Sequence, residues 1–113
     1  MVLTELSNIS SRGGVEHFYG KAEHTGAGYT AFWIPEKAHV TVYGAGRIHT
    51  AGEYKIEITG DSRAECEADT HVAFDVFGEN KTLNQDFQFD LPGPSCVICT
   101  WVSGSVSFVV RAI

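Results

Sequence analysis

Glycine and proline interrupt this chain so closely that no helix of useful length fits between the breaks. Twelve glycines and three prolines are spread over 113 residues. Between them, short runs alternate apolar and polar residues with a period of two. The clearest run is Tyr54-Lys55-Ile56-Glu57-Ile58-Thr59. There Tyr54, Ile56 and Ile58 share one face, and Lys55, Glu57 and Thr59 the other. Gly60-Asp61 closes the run with turn chemistry. Arg63 to Ala68 reads as a further half-buried strand, burying small residues and exposing charge. Val72, Phe74 and Val76 alternate next, ending at Gly78-Glu79-Asn80-Lys81, a loop that predicts a hairpin with Leu83 to Leu91. In that partner Leu83, Phe87, Phe89 and Leu91 share a face, and Pro92-Gly93-Pro94 stops it.

The last two runs, Cys96 to Val102 and Val106 to Ile113, are apolar on both faces, which is expected of strands covered on both sides. Gly28 to Ile34 and Ala38 to Tyr43 add two more strands. Val15 to Tyr19 and Arg47 to Thr50 are weaker, and Gly44-Ala45-Gly46 reads as a hairpin or bulge. The sum is an all-β domain: an antiparallel β-sandwich, jelly-roll-like, of about eight strands, with a small closed barrel as the alternative. Residues 1–14 read as an N-terminal arm, frayed or tied down by a neighbouring subunit. Residues 15–113 form a single β-sandwich domain, since a chain of this length has room for one core.

Charge narrows the partners. The net charge is −6, and the eight Lys and Arg residues are scattered singly, so no basic stripe exists to neutralise phosphates. Nucleic acid and anionic membrane are therefore not expected partners, and no apolar run reaches the ~20 residues of a spanning helix. The first residues lack a basic start and an apolar segment, so no secretory signal is expected and the protein is placed in a cytoplasm. Three cysteines, Cys66, Cys96 and Cys99, then read as free thiols. The sequons at Asn8 and Asn80 read as chance matches. Charged residues are only 19% of the chain, which suits either a surface partly covered by a partner or a small β-domain with few Lys and Glu.

Candidate chemistry falls away on inspection. Cys96-Val97-Ile98-Cys99 has the spacing of a zinc or redox pair, yet on a strand positions i and i+3 point to opposite faces. Five histidines (His17, His24, His39, His49, His71) show neither H-x-H nor H-E-x-x-H spacing. A metal site assembled from three of them by folding is left as the open alternative to surface or interface histidines. There is no Gly-x-Ser-x-Gly, and no helix follows Gly44-Ala45-Gly46 to hold a phosphate. Asp61, Glu65, Glu67 and Asp69 lack calcium-loop spacing and read as a solvated face. No cofactor is expected, and the chain reads as non-enzymatic.

The aromatic residues point to an interface. Phe18-Tyr19 and Phe32-Trp33 each put one ring on either side of a strand. Trp33 and Trp101 are read as outward anchors, with packing beneath a loop as the other option. With Leu3 and Leu6 of the arm and Tyr19, they make the candidate interface residues Leu3, Leu6, Tyr19, Trp33 and Trp101. Together these features describe a homo-oligomer that binds a protein surface. The Met1–Gly14 arm, the glycine-punctuated strands and an end inside the strand Val109-Val110-Arg111-Ala112-Ile113 give a layout that resembles the small jelly-roll decoration, cement or staple proteins of tailed-bacteriophage capsids. That resemblance spans the whole chain and implies a virion structural protein, assembled in the host cytoplasm, bound at junctions between capsid subunits. The rival reading is a carbohydrate-binding module or lectin stacking sugars on Trp33, Tyr43 or Trp101. An enzyme with a site built from His and Asp at a subunit boundary is the third.

Overall fold

The structure, a computed structural model, describes residues 1–10, 17–35, 41–49, 51–90 and 95–113. Expectations resting on Gly14, Val15, Ala38, His39, Thr50 or Pro92-Gly93-Pro94 lie outside the described residues. The chain is a β-sandwich of two five-stranded sheets. Its strands are β1 (Leu3–Glu5), β2 (Ser7–Ser10), β3 (His17–Thr25), β4 (Gly28–Ile34), β5 (Thr41–Ile48), β6 (Glu53–Thr59), β7 (Phe74–Asp75), β8 (Gln85–Asp90), β9 (Ser95–Ser103) and β10 (Ser105–Ala112). One short helix, α1 (Arg63–Glu67), lies between β6 and β7. The first sheet runs β1-β4-β9-β6-β7 and the second β2-β3-β10-β5-β8. All pairings are antiparallel except β1 on β4. Among the described residues strands number ten rather than about eight, two of them within residues 1–10. β1 joins the edge of one sheet and β2 the edge of the other.

Between the sheets lies the main core. The first sheet contributes Phe32, Ile34, Tyr54, Ile56, Val97, Cys99 and Trp101, and the second Phe18, Val42, Phe87, Val106, Phe108, Val110 and Ala112. The predicted phase of β6 holds, with Tyr54 and Ile56 inward. The phase of β9 is the reverse of the expectation. Val97, Cys99 and Trp101 face the core, so Trp101 is 1% exposed and not an outward anchor. Its ring meets Phe108 edge-on at 4.6 Å, and its indole Nε1–H donates to the Val106 carbonyl at 2.6 Å. That bond satisfies the one polar atom a buried indole carries. A buried tryptophan of this kind contributes roughly 3–5 kcal/mol.

Two further expectations are corrected. Gly44 and Gly46 do not turn the chain; they lie inside the continuous strand β5. Their missing side chains make room for rings from elsewhere. A Cβ on Gly46 would sit 2.5 Å from Tyr54 Cζ, and one on Gly44 would overlap the Phe87 ring. Likewise β7 and β8 do not form a hairpin. β7 pairs with β6 and β8 with β5, so the segment after β7 crosses from one sheet to the other.

Arg63 to Glu67 is a helix, not a strand. Ser62 caps it, its hydroxyl accepting from the Glu65 N–H at 3.2 Å, with Ser-x-x-Glu the sequence sign of such a start. Asp69, in the left-handed region at φ 58°, ends the turn. The helix lies over the outer face of the first sheet, where Cys66 joins Ala31, Trp33, Cys96 and Ile98 in a second buried cluster. Trp33 does point away from the main core, but its own chain covers it. It is 8% exposed, and the Arg63 guanidinium lies 5.5 Å from its ring centroid. The two-sided apolar character of β9 thus reflects the core on one face and this cluster on the other.

Candidate functional site

The outer face of the second sheet is set by strand alternation. The inward set of β10 leaves Ser105, Ser107, Val109 and Arg111 pointing out. Register places Arg111 between Tyr19 of β3 and Tyr43 of β5, and Val109 between Lys21 and Ala45. Asp86 and Gln88 of β8 continue the row opposite Ala45 and Tyr43. Together Tyr43, Ala45, Asp86, Gln88, Val109 and Arg111 line a shallow depression of about 500 Å³. Ala45 and Val109 give it a small apolar floor, Tyr43 is 40% exposed at its side, and the Arg111 guanidinium lies 5.5 Å from the Tyr19 ring centroid. A tyrosine–arginine–tyrosine row is the composition that anchors protein interfaces, because such side chains bring large area and few rotamers.

Most charges on this face have partners. Lys21 pairs with Glu23 at 3.1 Å, Arg47 bonds Asp86, and the Thr41 hydroxyl donates to Asp90 at 2.9 Å. Among the described residues, no carboxylate pairs with Arg111, whose positive charge meets only the Tyr19 ring. The face is therefore neutral in sum. The first sheet and its attached segments differ sharply. They carry nine carboxylates (Glu5, Glu53, Glu57, Asp61, Glu65, Glu67, Asp69, Asp75, Glu79) against three cations (Lys55, Arg63, Lys81). Among the described residues the net charge of −6 accordingly sits on that side.

Ser107 is the buried polar residue of the second sheet's outer face, and its surroundings include a histidine and a carboxylate. His49 Nε2 lies 2.5 Å from Ser107 Oγ. Glu23, opposite Ser107 in register, is held below the usual carboxylate range by its bond to Lys21, then by the Lys21 charge and by the Ser107 hydroxyl. Which of His49 Nε2 and Ser107 Oγ donates follows the imidazole tautomer, and the contact ties β10 to the residue after β5.

A second concavity, about 530 Å³, lies on the outer face of the first sheet beside α1. Its lining includes Tyr29, Glu57, Asp69, His71, Ala73, Ile98 and Thr100. His71 Nδ1 is buried there without a hydrogen-bond partner. His24 packs its ring against Trp101 at 5.0 Å. Among the described residues, no group of three or more His, Cys, Asp and Glu is arranged to hold a metal ion.

Of the interface residues read from sequence, the structure buries Leu6 and Trp101 in the main core and Trp33 in the second cluster. Leu3 packs half-buried against that second cluster. Tyr19 alone lies on the candidate face, half-buried beneath Arg111. The residues that sequence reasoning missed, Arg111, Val109, Asp86 and Gln88, carry one available signal: in β8 and β10 they alternate with the apolar residues.

No family model matches the chain, and no curated protein matches it. Among solved structures it is similar to PliG of Aeromonas hydrophila, a periplasmic inhibitor of g-type lysozyme. Identity is 12%, coverage 98% of this chain and 97% of that one, and the TM-score 0.49. It is also similar to part of the isomalto-dextranase of Arthrobacter globiformis, at 10% identity over 93% of this chain and 17% of that one, with a TM-score of 0.30. Identities and scores this low transfer no partner, substrate or residue role.

Proposed function

We propose that this chain is a non-enzymatic assembly protein that binds a protein surface, as a homo-oligomer, through the outer face of its second sheet. The observation that carries the reading is the Tyr19–Arg111–Tyr43 row: a neutral aromatic face with a free guanidinium, on a molecule whose net charge lies on the other side. The depression runs up to β8, which ends its sheet, so a partner meets both a face and an unpaired strand edge. Just before β8, Leu83, 75% exposed, adds apolar surface. The assembly we favour is a tailed-phage capsid, with this chain as a decoration or cement protein. Its support is the layout of arm and sandwich.

Light scattering at tens of micromolar tests the first claim. An oligomer is expected, and Tyr43→Ala with Arg111→Ala should weaken it at least tenfold while shifting Tm little, since both side chains are on the surface. A wild-type monomer would sink the homo-oligomer. Portal, protease and major-capsid genes beside this one would support the virion reading, and glycosidase neighbours would count against it. The carbohydrate reading keeps one platform, Tyr43 with Asp86 and Gln88 beside it, since Trp33 and Trp101 are buried. Glycan-array binding abolished by Tyr43→Ala would favour it instead.

A further inference from the structure

Cys66 comes from α1 and Cys96 from the start of β9, yet both are fully buried in the cluster with Ala31, Trp33 and Ile98. Cys66 Sγ donates to the Asp61 carbonyl at 4.0 Å, and within the shared cluster, after burial itself, each thiol bears on the titration of the other. Cys99 lies three residues along the same strand and faces the main core instead. A Cys96–Cys99 bond would need β9 to break, and a Cys66–Cys99 bond would have to pass through the sheet. One pairing of the three is open to the folded chain.

We propose that Cys66 and Cys96 are a latent disulfide, a site of oxidative modification that covalently anchors α1 to the first sheet. The oxidant is a small disulfide such as oxidised glutathione. The Cys66 thiolate attacks one of its sulfurs, releasing one glutathione thiolate and leaving a mixed disulfide on Cys66. The Cys96 thiolate then attacks the Cys66 sulfur and expels the second. Two S–H bonds break, one protein S–S bond forms, and the two protons and two electrons end on two molecules of reduced glutathione. Burial holds both thiols above their ordinary range, so few thiolates exist in the closed state. The reaction therefore proceeds through openings of α1, which is a single turn resting on the sheet. Once made, the bond closes a loop of about 30 residues and clamps the segment from Asp69 to Ala73, part of the lining of the first-sheet concavity. This inference is independent of the docking face.

The test uses the full chain. Folded protein is incubated with oxidised glutathione at pH 8, with and without sub-denaturing urea, and a second sample is unfolded and refolded in the same oxidant. Free thiols are then alkylated and the peptides mapped by mass spectrometry. A single intramolecular Cys66–Cys96 bond is expected, formed faster in urea, with Cys99 alkylated only after denaturation. Tm should rise on the order of 10 °C and return with dithiothreitol. Cys99→Ala should leave the bond intact. A Cys96–Cys99 or Cys66–Cys99 linkage would overturn the proposal. So would mixed disulfides that never resolve, or three free thiols after oxidative refolding.

Discussion

The buried thiols set how single residues answer to alkali. Desolvation, then the nearby Cys66, pushes Cys96 up to about 12 from an ordinary value of 9.0, and burial pushes Cys99 up as well. The unfolded chain therefore releases these protons first. Stability is complete below about pH 9 and falls as pH rises toward 12, by about 1.4 kcal/mol per pH unit for each thiol in that window. Urea denaturation at pH 7 and pH 10 should show that loss, and Cys96→Ala should remove one thiol's share of the slope. A flat profile in the wild type would disprove it. Other residues were less legible. Where a run is apolar on both sides, as from Cys96 to Val102, alternation gives the period but not the phase. Ile98 and Trp101 were thereby exchanged between inside and outside. In Tyr54 to Thr59 charged residues mark the wet face, and the phase was plain.

At the scale of elements, alternation finds strands and turn chemistry finds their ends, but neither sees what a glycine admits. Gly44 and Gly46 look like punctuation in sequence, and only the Phe87 and Tyr54 rings reveal them as strand residues. Helix α1 escaped because five residues are too few to display a helical period, and its charges alternate as a strand's do. Its legible sign was Ser62 three places before Glu65. Ser62→Ala should cost about 1 kcal/mol, confined to this turn. Hydrogen exchange at the Cys66 and Ala68 amides, which donate to Ser62 and Ala64 carbonyls, should quicken while the centres of β9 and β10 stay protected. Unchanged exchange in the turn would remove the cap from the account.

For the whole molecule the decisive asymmetry is electrostatic. If partners dock on the neutral second sheet, affinity should change less than about threefold between 50 and 500 mM salt, because exposed charges further away than a Debye length are screened. A steep salt dependence would move the contact to the acidic side, and the docking face with it. The sheet orders hold a further consequence. β9 and β10 are the middle strands of the two sheets, and they are the last of the ten to leave the ribosome. Until they emerge, β4 has no link to β6 and β3 none to β5. The earlier strands can pair only two by two, and each sheet closes once β9 or β10 enters its centre. Truncation after Asp90 would leave no smaller domain behind, only four two-stranded pairs with no centre.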